Sequence, residues 1–201
     1  MWKINILDGE SCINPNDLKL ISFKNRELFE KVISKGLVKA TKSLLIGTYN
    51  LQDIKIQLGN STTSLSKVLI ELLKKNVRIL ICLAPFMFQS QFIKTLSMND
   101  FAREKISIRF CKRMHFKTII VDLRYAYIGT ANLSGAGVGL KSDRRRNFEL
   151  GFVTQNSDLI ADIAGTFMEI FSGKYCSHQK CYFFDNYRIA SPCQGIFSKC
   201  I

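Results

Sequence analysis

Three apolar segments in succession limit the folds open to this chain. LLIGTY (Leu44–Tyr49) is a short run with almost no polar interruption. Next, Leu65, Val68, Leu69, Leu72 and Leu73 recur at i, i+3, i+4, i+7 and i+8, the spacing of one helix face. VRILICL (Val77–Leu83) is again a short continuous apolar run. Strands without a polar side need cover on both sides, so the alternation implies an α/β sheet with helices on both faces.

The remaining pattern extends that frame. A short strand is expected near Lys3–Leu7, followed by a polar loop. A helix over Arg26–Ala40 places Leu28, Phe29, Val32, Ile33 and Leu37 on one stripe. A turn and cap region is expected at Gly59–Ser64, and a helical stretch at Phe88–Arg103. Strands then dominate: Ile106–Phe110, His115–Val121, Tyr125–Gly129 and Phe148–Thr154. A last helix starts at the capping sequence Asn156–Asp158 and carries Leu159, Ile160, Ile163, Phe167 and Ile170 on its apolar side. The pattern breaks at Gly173, which divides the chain into a domain over 1–172 and a Cys-rich tail over 173–201.

Charge narrows the partners. Lys and Arg outnumber Asp and Glu by enough to give a formal charge of +13 on 201 residues, which favours nucleic acid or anionic lipid over a merely solvated basic surface. No strongly amphipathic basic anchor helix is visible, so nucleic acid is preferred. No apolar run is long enough for a transmembrane segment, and the start MWKINILDGESC lacks the regions of a signal peptide. The expected location is cytoplasmic.

The chemistry concentrates in HFKTIIVDLRYAYIGTAN. It contains His115-x-Lys117-x4-Asp122-x6-Gly129-Thr130-x-Asn132. On a strand, side chains two apart share a face, so His115 and Lys117 point the same way. An imidazole beside an ammonium suits a phosphate: one attacks or donates a proton, the other holds an anionic oxygen. Asn132 can donate a neutral hydrogen bond. Downstream, Asn147 and Glu149 are also two apart, and Glu149 can accept a ring N–H of a histidine and fix its tautomer. Asp122 is an odd number of residues from Lys117, faces away, and is expected to anchor the turn that follows it.

This pattern resembles the HKD signature of the phospholipase D superfamily, with Thr130 where serine is commoner, and Asn147-x-Glu149 is similar to the family's second element. The resemblance spans about residues 26–171 and implies a mixed β-sheet flanked by helices on both faces. It also implies a metal-independent reaction through a phosphohistidine, with catalytic residues His115, Lys117, Asn132 and Glu149 supported by Asp122, Gly129, Thr130 and Asn147. Such a reaction takes two histidine motifs. The only other histidine, His178, has no x-Lys partner, so the second motif is expected from another copy of the chain, as in Nuc-type endonucleases that work as homodimers. A nuclease acting on DNA or RNA is the expected activity. The alternatives are a lipid phospholipase D or phosphatidyltransferase, and a non-catalytic nucleic-acid-binding module.

Two further segments carry expectations. Lys141, Arg144, Arg145 and Arg146 lie in the Gly-rich loop before Asn147, where they form either a solvated surface or a clamp on the phosphate backbone. Cys176, Cys181, Cys193 and Cys200 cluster in the tail. In a reducing compartment that clustering points to a structural zinc or iron–sulfur cluster, with His178 as an alternative ligand, against four plain thiols in a small flap. No cofactor is expected to be required for catalysis.

Overall fold

A computed structural model describes the backbone of residues 18–23 and the whole of residues 27–175. The expected strand at Lys3–Leu7 lies outside these residues. The described chain builds a seven-stranded mixed sheet in the order β1-β9-β8-β7-β2-β5-β6. Its strands are β1 (Leu18–Phe23), β2 (Ser43–Thr48), β5 (Arg78–Leu83), β6 (Ser107–Phe110), β7 (Lys117–Val121), β8 (Tyr125–Gly129) and β9 (Glu149–Thr154). β2, β5 and β6 run parallel to one another. β7 pairs antiparallel with β2, and the hairpin β7–β8 followed by β9 continues antiparallel. A separate two-stranded ribbon joins β3 (Lys55–Leu58) to β4 (Ser61–Ser64).

Side-chain alternation explains why both faces are covered. Leu44, Ile46, Ile79, Ile81 and Leu83 point into one core layer. That layer lies under α1 (Leu65–Lys74), α2 (Gln91–Ser97) and α3 (Asp100–Lys105). Leu45, Leu80, Cys82 and Ile120 point the other way. They meet α4 (Ser157–Ser172), which presents Ile160, Ala164, Phe167 and Phe171. The buried stripe of α4 is turned from the expected one, since Leu159, Ile163 and Ile170 are only half-buried. The central side chain of this layer is Phe167, wholly inaccessible to solvent, and Phe167→Ala removes about 3–5 kcal/mol of stability.

Four local expectations change. The polar loop before residue 26 contains β1, an edge strand made by antiparallel pairing with β9, which local pattern cannot supply. The helix over 26–40 breaks into a wide turn at Phe29–Ser34 and a tight turn at Leu37–Lys39, with Gly36, a poor helix former, before the second. The stretch 88–103 divides at Met98–Asn99, because Asn99 caps α3 by accepting from the Ala102 N–H. Ser61–Ser64 is a strand rather than only a turn, although Ser64 does cap α1.

Candidate functional site

Topology brings the functional segments to one edge of the sheet. β7 opposes β2, so its start lies at the carboxyl end of β2. β8 ends and β9 starts at that same edge. Ligands of open α/β sheets collect at the carboxyl ends of the parallel strands, which here are β2, β5 and β6.

His115 is exposed and precedes β7, which begins at Lys117 rather than at His115. Lys117 is only 8% exposed, and its Nζ donates to the main-chain oxygen of His115 at 2.6 Å. Burial holds its ammonium below the ordinary lysine range, and the Glu149 carboxylate partly offsets this. Phe116, between them, closes on Gly47 of β2. A Cβ there would lie 2.5 Å from the Phe116 ring and 2.8 Å from Cε of Met114. Gly47 thus allows the segment carrying His115 to lie flat against β2.

Asn132 is fixed from the opposite side. Its Oδ1 accepts from the main-chain N–H of Asn50 at 3.1 Å and lies 3.2 Å from the Thr48 hydroxyl. The backbone N–H can only donate, so the carbonyl end of the amide faces it and Nδ2 is left to donate. The expected hydrogen-bond donor is thereby oriented by the end of β2.

Glu149 opens β9. Thr130 Oγ1 donates to its Oε2 at 2.5 Å and Asn147 Nδ2 donates to its Oε1 at 2.9 Å. Asn147 and Glu149 therefore act together, as their spacing suggests. Among the described residues, however, no ring nitrogen of His115 bonds to this carboxylate. Within one chain Glu149 acts on Lys117 through its charge. The Thr130 hydroxyl also accepts from the Leu150 N–H at 3.0 Å, which ties the ends of β8 and β9 together. Gly129 makes that approach sterically open: a Cβ would stand 2.6 Å from the Leu150 oxygen.

Asp122 lies at the far end of β7. Its carboxylate accepts from the main-chain N–H groups of Thr41, Lys42 and Ser43, at 3.0, 2.7 and 2.9 Å, and from the Thr41 hydroxyl at 2.8 Å. Burial works to raise its pKa, but these donors together hold it below the usual carboxylate value. Asp122 and Leu123 have φ of 54° and 52°, in the left-handed region that tight hairpin turns use. The side chain fastens the β7–β8 turn to the entry of β2.

The basic loop divides. Arg144 and Arg145 are exposed. Arg146 is paired with Asp143 at 3.0 Å, has a side chain 15% exposed, and lies with its guanidinium 5.7 Å from the Phe148 ring centroid. Lys141 lines an open cleft of about 410 Å³ together with Gln52, Asp53 and Lys55. The cleft adjoins the Asn132 segment, because the Gln52 N–H donates to the Leu133 oxygen and Gln52 Oε1 accepts from the Gly135 N–H.

Several residues here are not marked by motif spacing. Thr48 and Asn50 seat Asn132. The ring centroids of Tyr49 and His115 are 5.6 Å apart, and those of Tyr49 and Phe86 are 5.1 Å apart. Lys55 joins Lys141 in the cleft. One signal for Tyr49 was present: it is the last residue of LLIGTY, at the end of a strand whose carboxyl end faces the site. Cys176, Cys181, Cys193, Cys200 and His178 lie outside the described residues. Among the described residues, no group of three or more His, Cys, Asp and Glu side chains is placed to hold a metal ion. No described helix is long and apolar enough to cross a membrane.

An accessible histidine beside a buried lysine at the carboxyl edge of such a sheet suits a phosphate group. The family model "Cardiolipin synthase, PLD-like domain" matches residues 33–171, and the chain belongs to the phospholipase D-like family. Among solved structures, the fold is similar to NucT from Helicobacter pylori, at 16% identity and a TM-score of 0.55, covering 76% of this chain and 92% of that one. It is also similar to Nuc from Salmonella typhimurium, a phospholipase D family member, at 17% identity and a TM-score of 0.51, covering 70% and 84%. TrmBL2, an archaeal chromatin protein, is similar at 14% identity and a TM-score of 0.50, covering 77% and 52%. At these identities the likeness is one of fold. No curated protein sequence matches the chain.

Proposed function

We propose that this chain is a metal-independent nuclease of the cytoplasm that cleaves DNA or RNA through a phosphohistidine on His115, in a site completed by a second copy. The observation that carries the reading is the pairing of an exposed His115 with a nearly buried Lys117 anchored on the histidine's own main chain. A ring nitrogen of His115 attacks phosphorus, and the bond to the leaving ester oxygen breaks. The imidazolium of the same residue in the second copy gives that oxygen its proton. Water then attacks phosphorus, the phosphorus–nitrogen bond breaks to return neutral His115, and the second imidazole, now neutral, takes the water's proton. Lys117 and the Asn132 amide hold the non-bridging oxygens as charge builds on them. Lys141, Arg144 and Arg145 supply contacts to neighbouring phosphates.

Plasmid, single strands, RNA and phosphatidylglycerol vesicles, each incubated with the protein in EDTA, test this reading. Nucleic acid cleavage that persists in chelator is expected, because a histidine nucleophile needs no metal-bound hydroxide. Prompt loss in EDTA with recovery in magnesium would overturn the mechanism. Turnover of the lipid alone would move the assignment to a phospholipase D or phosphatidyltransferase.

A further inference from the structure

Phe86 stands out on the described surface. It follows β5 in a tight turn, Pro85–Gln89, that is rooted by the buried Ala84 and Met87, 1% and 4% exposed, while Phe86 is 55% exposed. Phe88, two residues on, packs edge-on against Phe110 of β6 and pins the turn from the other side. An anchored backbone thus holds an apolar ring in water. Tyr49, at the end of the adjacent parallel strand β2, is 39% exposed and lies between Phe86 and His115, at centroid distances of 5.1 and 5.6 Å. The three rings form a continuous ridge that begins at the nucleophile.

We propose that Tyr49 and Phe86 are a stacking platform for an unpaired nucleobase next to the scissile phosphate, so that the substrate class is single-stranded nucleic acid. This inference rests on the nuclease reading above and narrows it. The base attached to the sugar beside the reacting phosphate sits about one ring step away from it, the step the ridge makes from His115 to Tyr49. A base inside a duplex has both faces covered and cannot lie on such a ridge without leaving the helix. An unpaired base presents a free face, and every base does so, which makes the platform tolerant of sequence. The formal charge of +13 and the cations Lys55, Lys141, Arg144 and Arg145 suit a strand that carries its phosphates on either side.

The test compares oligothymidylate and oligouridylate with a base-free oligomer of the same length and with a duplex, by affinity and by cleavage rate. Wild-type protein should prefer the single strands over both the base-free oligomer and the duplex by roughly tenfold or more, the usual size of base–aromatic stacking. In Phe86→Ala and in Tyr49→Leu that ratio should collapse toward one, while Phe86→Trp should keep it. Exposure of Phe86 means that its variants fold, which thermal melts will verify. Equal losses on base-free and base-bearing strands would overturn the platform, as would a preference for single strands over the duplex that survives in Phe86→Ala. Vesicle binding lost in Phe86→Ala, with the strand preference intact, would overturn it in favour of a lipid surface. If the protein cleaves none of these yet keeps a Phe86-dependent preference for single strands, the nuclease reading fails and the platform stands. Cleavage without that preference is the reverse result.

Discussion

The β7–β8 hairpin carries a polar constellation at each end, and the two are built differently. At the turn end, Asp122 accepts three main-chain N–H groups and a hydroxyl, so its carboxylate is saturated by its own chain. At the open end, His115 is exposed, the Asn132 amide keeps Nδ2 free to donate, and Lys117 is held by a single main-chain oxygen. Saturated polar groups stabilise a fold, whereas groups with unspent donors and lone pairs at a sheet edge are available to a substrate. The family's signature joins both ends in one motif, but their contacts assign them different work.

The sharpest way to break this contrast is to remove one side chain from each end. If His115 is the nucleophile, His115→Ala should lower cleavage by about three orders of magnitude or more, and its exposed ring leaves the melting temperature little changed. In mixtures of wild-type and His115→Ala subunits, activity should fall roughly as the square of the wild-type fraction if an isologous pair shares the site. A linear fall would mean that each chain works alone. Asp122→Ala should behave in the opposite way, costing about 2 kcal/mol in chemical denaturation while activity per folded molecule persists. Its carboxylate pKa is depressed by folding, so the lost stability is present above the ordinary carboxylate pKa and disappears as pH falls through the lowered value. The variant and wild type should therefore converge in acid. An Asp122→Ala protein that is fully stable but inactive would erase the distinction between the two ends.

These roles were legible in the sequence to different depths. Buried strands and the α1 stripe were readable because their apolar spacing is dictated by the core itself, and the odd spacing of Asp122 from Lys117 already turned it away from the site. The partner of Asp122 was not readable, since the chain entering β2 is about eighty residues away and is joined to it only by the antiparallel β2–β7 register. Thr48 and Asn50 were hidden for the same reason, since Asn132 is more than eighty residues from them. β1 escaped because an edge strand gains its stability from β9, not from its own pattern. The role first given to Glu149, orienting a histidine, came from residue type. Within the chain the carboxylate instead meets Thr130 and Asn147.

Glu149 allows a finer probe of the open end. The Lys117 ammonium is pushed down by burial and pulled partly back up by the Glu149 charge. If the ammonium must be charged for turnover, the alkaline limb of the pH–rate profile lies below the ordinary lysine pKa. Glu149→Gln keeps the shape and one of the two acceptor oxygens but removes the charge, so the limb should move further down. A limb that stays in place or moves up would show that Lys117 does not set it.

The smallest expected effect separates the arginines of the basic loop. Each phosphate contact by a Lys or Arg contributes about 0.9 to the slope of log affinity against log salt on duplex DNA, and about 0.7 on single strands. Arg144 and Arg145 are exposed, so replacing both with alanine should flatten the slope by roughly 1.4 on a single strand. Arg146 already neutralises Asp143 and covers the Phe148 ring. Reaching a phosphate would mean giving up both contacts, so Arg146→Ala should change the slope by less than one full contact. Its loss instead removes the Asp143 pair and the contact with the Phe148 ring, and frees the segment that leads into Asn147 and Glu149. The expected signature is thus a change in turnover with nearly unchanged salt dependence for Arg146→Ala, and the reverse for the pair. Equal slope changes at all three positions would show that the loop rearranges on binding and that the Asp143 pair does not restrain it.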